Sequence, residues 1–318
     1  MKTEIIIALT VLGAIAAVLL LVIAFAYITY RMAFFSDRKK PRDPYASLNG
    51  ELSERKKKSK EYIDKLIGMP YESVSITSRD GLRLHARYYH VRDGAPLEIQ
   101  MHGYKSTSVH DFGGGALECI GMGYNLLLVD QRAHGESCGH VISFGIKERM
   151  DALSWAEYAV SRFGSDVRIF LYGISMGGAT VLMASELPLP ENVVGIVADC
   201  PYSSPRKIIA KVAREMGFPS WLVMPAMKLG ARIFGGFDLD ECTATNAVRS
   251  SRVPILIIHG EGDKFVPCDM SREIAEGVKR LALHTFPEAG HGLSFIYDHE
   301  RYMNIINEFH RKVLGDTE

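Results

Sequence analysis

Cysteine is scarce in this 318-residue chain, and the five that occur are scattered. There is no C-x-x-C pair and no Cys/His cluster at the spacing of a zinc site. The sequence therefore gives no support for a metal site or a disulfide framework, and it predicts free, buried thiols. The cysteines are Cys119, Cys138, Cys200, Cys242 and Cys268.

The chain also lacks an excess of either charge. Lys plus Arg equals Asp plus Glu at 37 each, so no electrostatic argument for a nucleic-acid partner exists. Apolar residues make up 47% and charged residues 23%, which is the composition of a globular protein. The length allows one large core or two modest ones.

Charged residues are missing altogether from Ile5 to Tyr30, a run rich in Ile, Leu, Val and Ala. As a helix this run would span ~39 Å, enough to cross a bilayer with some tilt. A cleavable signal peptide is the alternative, since Ala24-Phe25-Ala26 resembles a cleavage site. The run is longer than the usual apolar region of a signal peptide, so we predict an uncleaved single-pass membrane anchor over residues 1–34.

Basic residues follow this run rather than precede it, where Lys2 is balanced by Glu4. The positive-inside rule therefore predicts that the large C-terminal part lies on the cytoplasmic side. Free cysteines agree with a reducing compartment. The basic residues after the run are Arg31, Arg38, Lys39, Lys40 and Arg42.

Residues 35–70 are predicted to form a basic connector. The charge run ERKKKSKE leads into YIDKLI, in which Tyr62, Ile63, Leu66 and Ile67 recur at helical spacing. Two interpretations stand side by side. The segment is either a solvated helix leading into the next domain or a basic helix lying on anionic lipid headgroups.

From Tyr71 onward the pattern changes to strands and helices. Two alternating segments around SRDG predict an antiparallel hairpin. Continuous apolar runs separated by helix-length segments then predict an α/β domain over 71–318, with a mostly parallel sheet and helices on both faces. Ligands of such sheets bind beyond the carboxyl ends of the strands. The apolar runs are PLEIQM, NLLLVD, VRIFLYG, VVGIVAD, VPILIIHG and ALHTF.

Five short motifs follow these predicted strands: MHGYKS, DQRAHGES, GISMGG, HGEGDKFVP and PEAGHG. In this order they resemble a serine hydrolase of the α/β-hydrolase superfamily, esterase- or lipase-like, from about Tyr71 to Leu314. The resemblance implies the α/β-hydrolase fold and a triad of Ser175, Asp263 and His291. It also implies an oxyanion hole made by the backbone amides of Met176 and Tyr104.

The residue types suit that chemistry. Ser175 lies in G-x-S-x-G, where glycines remove side chains that would collide at a sharp strand-to-helix turn. His291 lies in EAGHG, a loop without a hydrophobic face, where it would take the Ser175 proton and return it to the leaving group. His259 closes a strand and is expected to be structural. Gly103 stands alone after His102, which departs from the HGGG pattern, so substrate class is not carried over.

Two aspartates compete for the role of the triad acid. Asp263 follows the penultimate predicted strand, and Asp199 ends the strand before it. The spacing to His291 favours Asp263, and we expect Asp199 to anchor the connection that follows it. In DQRAHGES, Asp130 and Arg132 are expected to fix their loop by pairing.

The segment from Tyr202 to Ser250 interrupts the strand pattern and resembles the helical cap of related enzymes, at about 202–250. Its Met and aromatic residues, including Trp221, Met224 and Met227, either belong to a core or line an acyl pocket. We predict cleavage of small-molecule or lipid carboxylic esters through an acyl-enzyme on Ser175, without a cofactor. Alternatives are a peptidase or thioesterase on the same triad, or a catalytically silent, membrane-tethered binding module.

Overall fold

One eight-stranded sheet forms the centre of the protein. The computed structural model describes residues 2–37 and 54–315. Arg38, Lys39, Lys40 and Arg42, on which the predicted orientation depends, lie outside the described residues, as do residues 38–53 of the predicted connector as a whole. The strands are β1 (Glu72–Thr77), β2 (Arg83–Tyr89), β3 (Leu97–Met101), β4 (Asn125–Asp130), β5 (Ile169–Ile174), β6 (Val193–Asp199), β7 (Ile255–Gly260) and β8 (Leu281–Phe286).

The strand order is β1-β2-β4-β3-β5-β6-β7-β8. The predicted hairpin β1–β2 is antiparallel and adds to the sheet through an antiparallel β2–β4 pair. All later pairs are parallel, with Ile99 aligned to Leu127 on one side and to Leu171 on the other. The carboxyl ends of β3 to β8 therefore meet along one edge.

Helices cover both faces of this sheet. Along β4, Leu127 and Val129 belong to one core, and Leu126 and Leu128 belong to another on the opposite face. This alternation explains why the middle of the strand, Leu126 to Val129, is apolar without interruption. The helices are α1 (Lys2–Ala33), α2 (Glu54–Gly68), α3 (Ser108–Gly121), α4 (Glu148–Phe163), α5 (Met176–Ala184), α6 (Pro205–Glu215), α7 (Ser220–Gly230), α8 (Ala244–Ala247), α9 (Asp269–Ala275), α10 (Ser294–Tyr297) and α11 (His299–Leu314).

The N-terminal helix α1 has two different parts. It is 32 residues long, its most apolar window has a mean hydropathy of 3.1, and no residue of that window is buried. By length and composition this helix is able to cross a membrane. Its last turns, in contrast, are part of the folded domain: Ala26, Tyr30 and Phe34 are buried, and Tyr30 and Phe34 join the larger core.

This packing joins the end of the predicted anchor, residues 1–34, to the domain. The physical reason is a close approach of α1 to α7. A Cβ at Gly230 would lie 2.4 Å from the Ala26 carbonyl oxygen, so only glycine allows this approach. Aromatic rings also pack here. The ring centroids of Tyr30 and Phe234 are 5.7 Å apart, and those of Phe34 and Phe237 are 5.3 Å apart.

The helix of the connector, α2, packs on α3. Ile63 and Leu66 are buried, and Gly113 of α3 leaves room for Ile63. Lys57, Lys58, Lys60 and Lys65 are exposed. The helix is therefore docked on the domain by its apolar side, and contact of its lysines with headgroups stays a prediction.

The predicted helical cap follows β6. It consists of α6, α7 and a π-helical turn at Ala231–Gly235, before the chain returns to β7. Ser204 caps α6 through its hydroxyl, which accepts a hydrogen bond from the Lys207 amide, and Pro205 occupies the first turn. The cap packs against the last turns of α1.

Candidate active site

Ser175 lies in a tight turn between β5 and α5. Its backbone has φ 55° and ψ −112°, a conformation that non-glycine residues rarely adopt. Two neighbouring glycines make the turn possible. A Cβ at Gly177 would lie 1.8 Å from the Met101 carbonyl oxygen, and one at Gly173 would lie 2.1 Å from the Gly177 carbonyl oxygen. The strained turn holds the hydroxyl of Ser175 beyond the end of the sheet.

The structure brings the three predicted triad residues together. His291 Nε2 lies 2.9 Å from Ser175 Oγ, and His291 Nδ1 lies 2.6 Å from Asp263 Oδ2. An ionised carboxylate only accepts hydrogen bonds, so Nδ1 carries the proton and donates a hydrogen bond to Asp263. The other nitrogen, Nε2, is then free to accept the hydroxyl proton of Ser175.

Asp263 is buried, and its carboxylate accepts several hydrogen bonds. The amides of Phe265 and Val266 donate to Oδ1 at 2.8 Å each. Burial raises the pKa of Asp263, but hydrogen bonds from His259 and His291 outweigh burial and hold the pKa below its ordinary value of 3.8. Asp263 is therefore a carboxylate at neutral pH.

His259 lies near the end of β7, as expected, and its side chain also contacts Asp263. Its Nε2 lies 2.9 Å from the Val266 carbonyl and 3.2 Å from Asp263 Oδ2, while Nδ1 lies 2.6 Å from Ser271 Oγ. These partners fix the ring with Nε2 as a donor. The sequence analysis expected a structural residue here and did not predict the contact with Asp263.

Asp199 is in a different environment. Its backbone carbonyl accepts a hydrogen bond from the Ser175 amide at 2.8 Å, and its Oδ2 accepts one from the Tyr302 hydroxyl at 2.8 Å. Tyr302 is itself hydrogen-bonded to Tyr172. Burial raises the pKa of Asp199 to about 6, against the lowering by Tyr302. The structure thus places Asp263, and not Asp199, against His291, and Tyr172 and Tyr302 were not predicted from the sequence.

Cys200 is a further neighbour that the sequence did not indicate. Its Sγ, a carboxylate oxygen of Asp263 and a ring nitrogen of His291 lie within 4.8 Å of one another. Burial raises the pKa of the Cys200 thiol well above its ordinary value, so it stays neutral. Asp263 and His291 are already bonded to each other, so these three groups are poor ligands for a metal ion.

Both predicted backbone donors of the oxyanion hole adjoin Ser175. Met176 is the first residue of α5, where amides have no partner within the helix. Tyr104 follows Gly103, at which a Cβ would lie 3.4 Å from Ser175 Cβ. The Gly103 amide donates to Asp111 Oδ2 at 2.6 Å, which fixes this loop to the first turn of α3.

The loop is also tied to α1. The Tyr104 hydroxyl donates to the Ala33 carbonyl at 2.7 Å, and Lys105 Nζ donates to the Met32 carbonyl at 3.3 Å. The last carbonyls of a helix have no partner within it, so these bonds satisfy the end of α1. No sequence motif predicted these hydrogen bonds between the loop and α1.

Ion pairs fix the neighbouring DQRAHGES loop, as expected for Asp130 and Arg132. Arg132 Nε and Nη2 each lie 2.6 Å from a carboxylate oxygen of Asp151, and Nη1 lies 2.8 Å from Asp80. Asp130 accepts a hydrogen bond from Ser108 Oγ at 2.9 Å. Neither residue contacts the triad through these bonds, so both are structural.

An apolar cavity of about 450 Å³ lies over Ser175, which is one of its lining residues. Its walls come from α1, α6, α7 and the loops at the carboxyl edge of the sheet. Met227 lines this cavity and also belongs to the core, Met224 belongs to the core, and Trp221 is exposed, so neither interpretation of the cap residues holds for the whole set. A second cavity, about 570 Å³, lies by Tyr88 and includes no triad residue.

Comparison with known proteins places this geometry in a family. A profile of the Alpha/beta hydrolase family matches residues 101–304. The YqkD protein of Bacillus subtilis is 24% identical over 201 residues, which are 63% of this chain and 66% of YqkD. The AB hydrolase superfamily protein YisY of Bacillus subtilis is 31% identical over 88 residues, which are 28% of this chain and 32% of YisY. Both matches thus span less than two thirds of the relative's own length.

Among solved structures, the esterase PF2001 of Pyrococcus furiosus has a TM-score of 0.65 and 24% sequence identity. The alignment covers 78% of this chain and 93% of that chain, and it supports the fold. The predicted α/β-hydrolase architecture is confirmed. Because residues 101–304 make up more than half of the chain and contain Ser175, Asp263 and His291, this protein belongs to the alpha/beta hydrolase family.

Proposed function

We propose that this protein is a serine hydrolase that cleaves carboxylic esters through an acyl-enzyme on Ser175. Family membership supports a hydrolase. The observation that carries the finer proposal is the continuous chain of hydrogen bonds from Asp263 through His291 to Ser175, beneath an apolar cavity. Nucleophile and base within hydrogen-bond reach, with a third group orienting the base, are what acyl transfer to a serine requires.

In the first half of the reaction, Ser175 Oγ attacks the ester carbonyl carbon while its proton passes to His291 Nε2. The carbonyl oxygen becomes an oxyanion, which the amides of Met176 and Tyr104 stabilise in our proposal. The carbon–oxygen bond to the leaving group then breaks, and His291 returns the proton to the departing alkoxide. The products are an alcohol and an acyl-enzyme.

In the second half, water replaces the alcohol. His291 takes a proton from the water as it attacks the acyl carbon, and it returns that proton to Ser175 Oγ when the acid leaves. Asp263 stays ionised throughout, holds the proton of His291 on Nδ1 and stabilises the imidazolium. The two amide donors to its Oδ1 keep the carboxylate in place.

The cavity favours an apolar acyl group. The described residues that line it include no charged side chain, and most are aliphatic or aromatic. A peptide substrate would bring polar backbone groups into this space at a cost of desolvation. A thioester meets no such obstacle, so thioesterase activity is the second candidate.

We also propose that α1 is an uncleaved membrane anchor with the catalytic domain on the cytoplasmic side. A signal peptidase cutting after Ala26 would remove Phe25 from the wall of the cavity and Ala26 from its contact with Gly230. The packing therefore favours retention of α1. Full-length protein should resist extraction by salt and alkali and should require detergent. An N-terminus at Tyr27 in the mature protein would contradict this proposal.

The nucleophile is tested with Ser175→Ala. This variant should lose turnover and labelling by a fluorophosphonate probe without a loss of fold, because the turn remains intact. Ser185→Ala is the matched control, since it removes a buried hydroxyl just after α5, which bonds to the Leu182 carbonyl. A panel of ester, thioester and aminoacyl substrates separates the candidate reactions. Labelling of Ser175→Ala at the wild-type rate would show that another residue is the nucleophile.

A further inference from the structure

The cavity over Ser175 has a wall that belongs to α1. Phe25, Ile28 and Met32, spaced along one side of that helix, line the same space as Ser175. Opposite them stand residues of α6 and of the segment that joins α6 to α7, among them Met216 and Phe218. The substrate space therefore lies between the cap and the apolar N-terminal helix.

This cavity has an apolar, open rim. Ile28 lines the cavity and is still 54% exposed, and Met216 on the cap side is 58% exposed. Each side chain thus faces the cavity and the surroundings at once. An opening lined in this way is costly in water, where exposed apolar surface is unfavourable, and it is not costly among lipid chains.

The cap extends the apolar surface beside this rim. Trp221, at the start of α7, is 77% exposed, and its neighbour Leu222 is exposed as well. Exposed Trp and Leu next to a membrane-spanning helix are typical of surfaces that dip into the lipid interface.

The position of the rim along α1 agrees with this arrangement. Arg31 is the first basic residue after the apolar run, and Ile28 and Phe25 precede it by one and two turns. At the rise of an α-helix these residues lie about 5–9 Å from Arg31 toward the bilayer centre. Interfacial helices bury their apolar faces to a similar depth of about 5–10 Å.

We propose that the cavity opens sideways into the bilayer between α1 and the α6–α7 connection, and that its substrate is an acyl ester of a membrane lipid. The acyl chain enters along α1 without leaving the membrane, and its carbonyl reaches Ser175. This inference rests on the proposed function. It adds the class of substrate and its route, and it makes α1 part of the substrate site.

The route is tested with full-length protein reconstituted in phosphatidylcholine vesicles. A long-chain 4-nitrophenyl ester is placed either in the same vesicles as the protein or in separate vesicles. Entry from the bilayer predicts fast hydrolysis in the first case and, since long-chain esters exchange slowly between vesicles, slow hydrolysis in the second. Equal rates would overturn the route, because they would mean that substrate arrives through water.

The wall is tested with Ile28→Trp, which adds bulk at the rim. The ratio of the rate on the long-chain ester to the rate on soluble 4-nitrophenyl acetate should fall about tenfold or more, because only the long chain reaches the rim. Ile23→Trp is the matched control, because Ile23 is an exposed residue of α1 outside the cavity lining. It should leave both rates unchanged.

Labelling of Ser175 by a small fluorophosphonate reports that the variants are folded. An Ile28→Trp variant that labels normally and hydrolyses both esters at wild-type rates would overturn the role of α1. A parallel loss on both esters would also overturn it, because the substitution would then act on the reaction rather than on passage of the chain. Failure of wild-type protein to hydrolyse either ester would overturn the proposed function itself.

Discussion

Asp199 ends β6 and Asp263 follows the neighbouring strand β7. Both are buried, and they differ in what surrounds them. Asp263 accepts hydrogen bonds from two amides and two histidines, and its pKa lies below the ordinary value. Asp199 accepts one bond from Tyr302 through its side chain, and burial raises its pKa to about 6. Position at the end of a strand therefore does not distinguish the two side chains; the number and direction of their hydrogen-bond donors do.

The largest expected difference between the two aspartates is in the loss of turnover when each is replaced. Asp263→Asn should lower kcat by up to about 10⁴-fold with no comparable rise in KM, because His291 loses the partner that fixes its tautomer. Steady-state kinetics on a 4-nitrophenyl ester measures both constants. Asp199→Asn is the control with the same change of group. If Asp199→Asn loses turnover while its Tm is unchanged, the roles of the two aspartates are reversed.

Replacing Asp199 should act on stability. Its folded pKa of about 6 exceeds the unfolded value of 3.8, so the folded state holds more protons between these values. The free energy of unfolding of the wild type should therefore fall as pH rises from about 4 to 7, by up to about 3 kcal/mol from this group. Asp199→Asn should lack this decline. Parallel Tm profiles of wild type and variant across that pH range would exclude the effect.

Replacing His259 should have the smallest effect, and it probes the support of Asp263. The bond from His259 favours the carboxylate, so His259→Leu should raise the pKa of Asp263 and reduce kcat by about tenfold. Activity should then be lost at a higher pH on acidification than in the wild type. His259→Gln, which keeps an amide donor, should restore part of the activity. A pH–rate profile of His259→Leu that matches the wild type would remove His259 from the support of the triad.

Much of the fold was predictable because the hydrophobic pattern of each strand lies within one short stretch of sequence. Continuous apolar runs gave the parallel strands to within about two residues, since each strand is covered on both faces. The set of Ser175, Asp263 and His291 came from the resemblance of the motifs to a family, and each of these residues follows its own strand. Their short distances then follow from the shared edge of the sheet.

The parts that were missed depend on contacts between distant segments. An apolar side chain looks the same in sequence whether it faces lipid or protein, so the burial of Tyr30 and Phe34 by the cap was not foreseeable. The pairing of Tyr302 with Asp199 joins the last helix to β6. The Tyr104–Ala33 bond joins a loop of the site to the end of α1. No local motif records such pairs.

The contact of Ala26 with Gly230 has a consequence for the order in which the protein is completed. During synthesis α1 emerges before α7, and α7 carries the glycine that Ala26 approaches. Until α7 has folded, the surface on which α1 packs is missing, and the cavity over Ser175 lacks the part of its wall that α1 and α7 supply. A chain shortened to begin at Tyr71 would lack the α1 wall of the cavity, and it would lack Tyr30 and Phe34 in its core. Docking of α1 on α7 and completion of the cavity over Ser175 are thus one event.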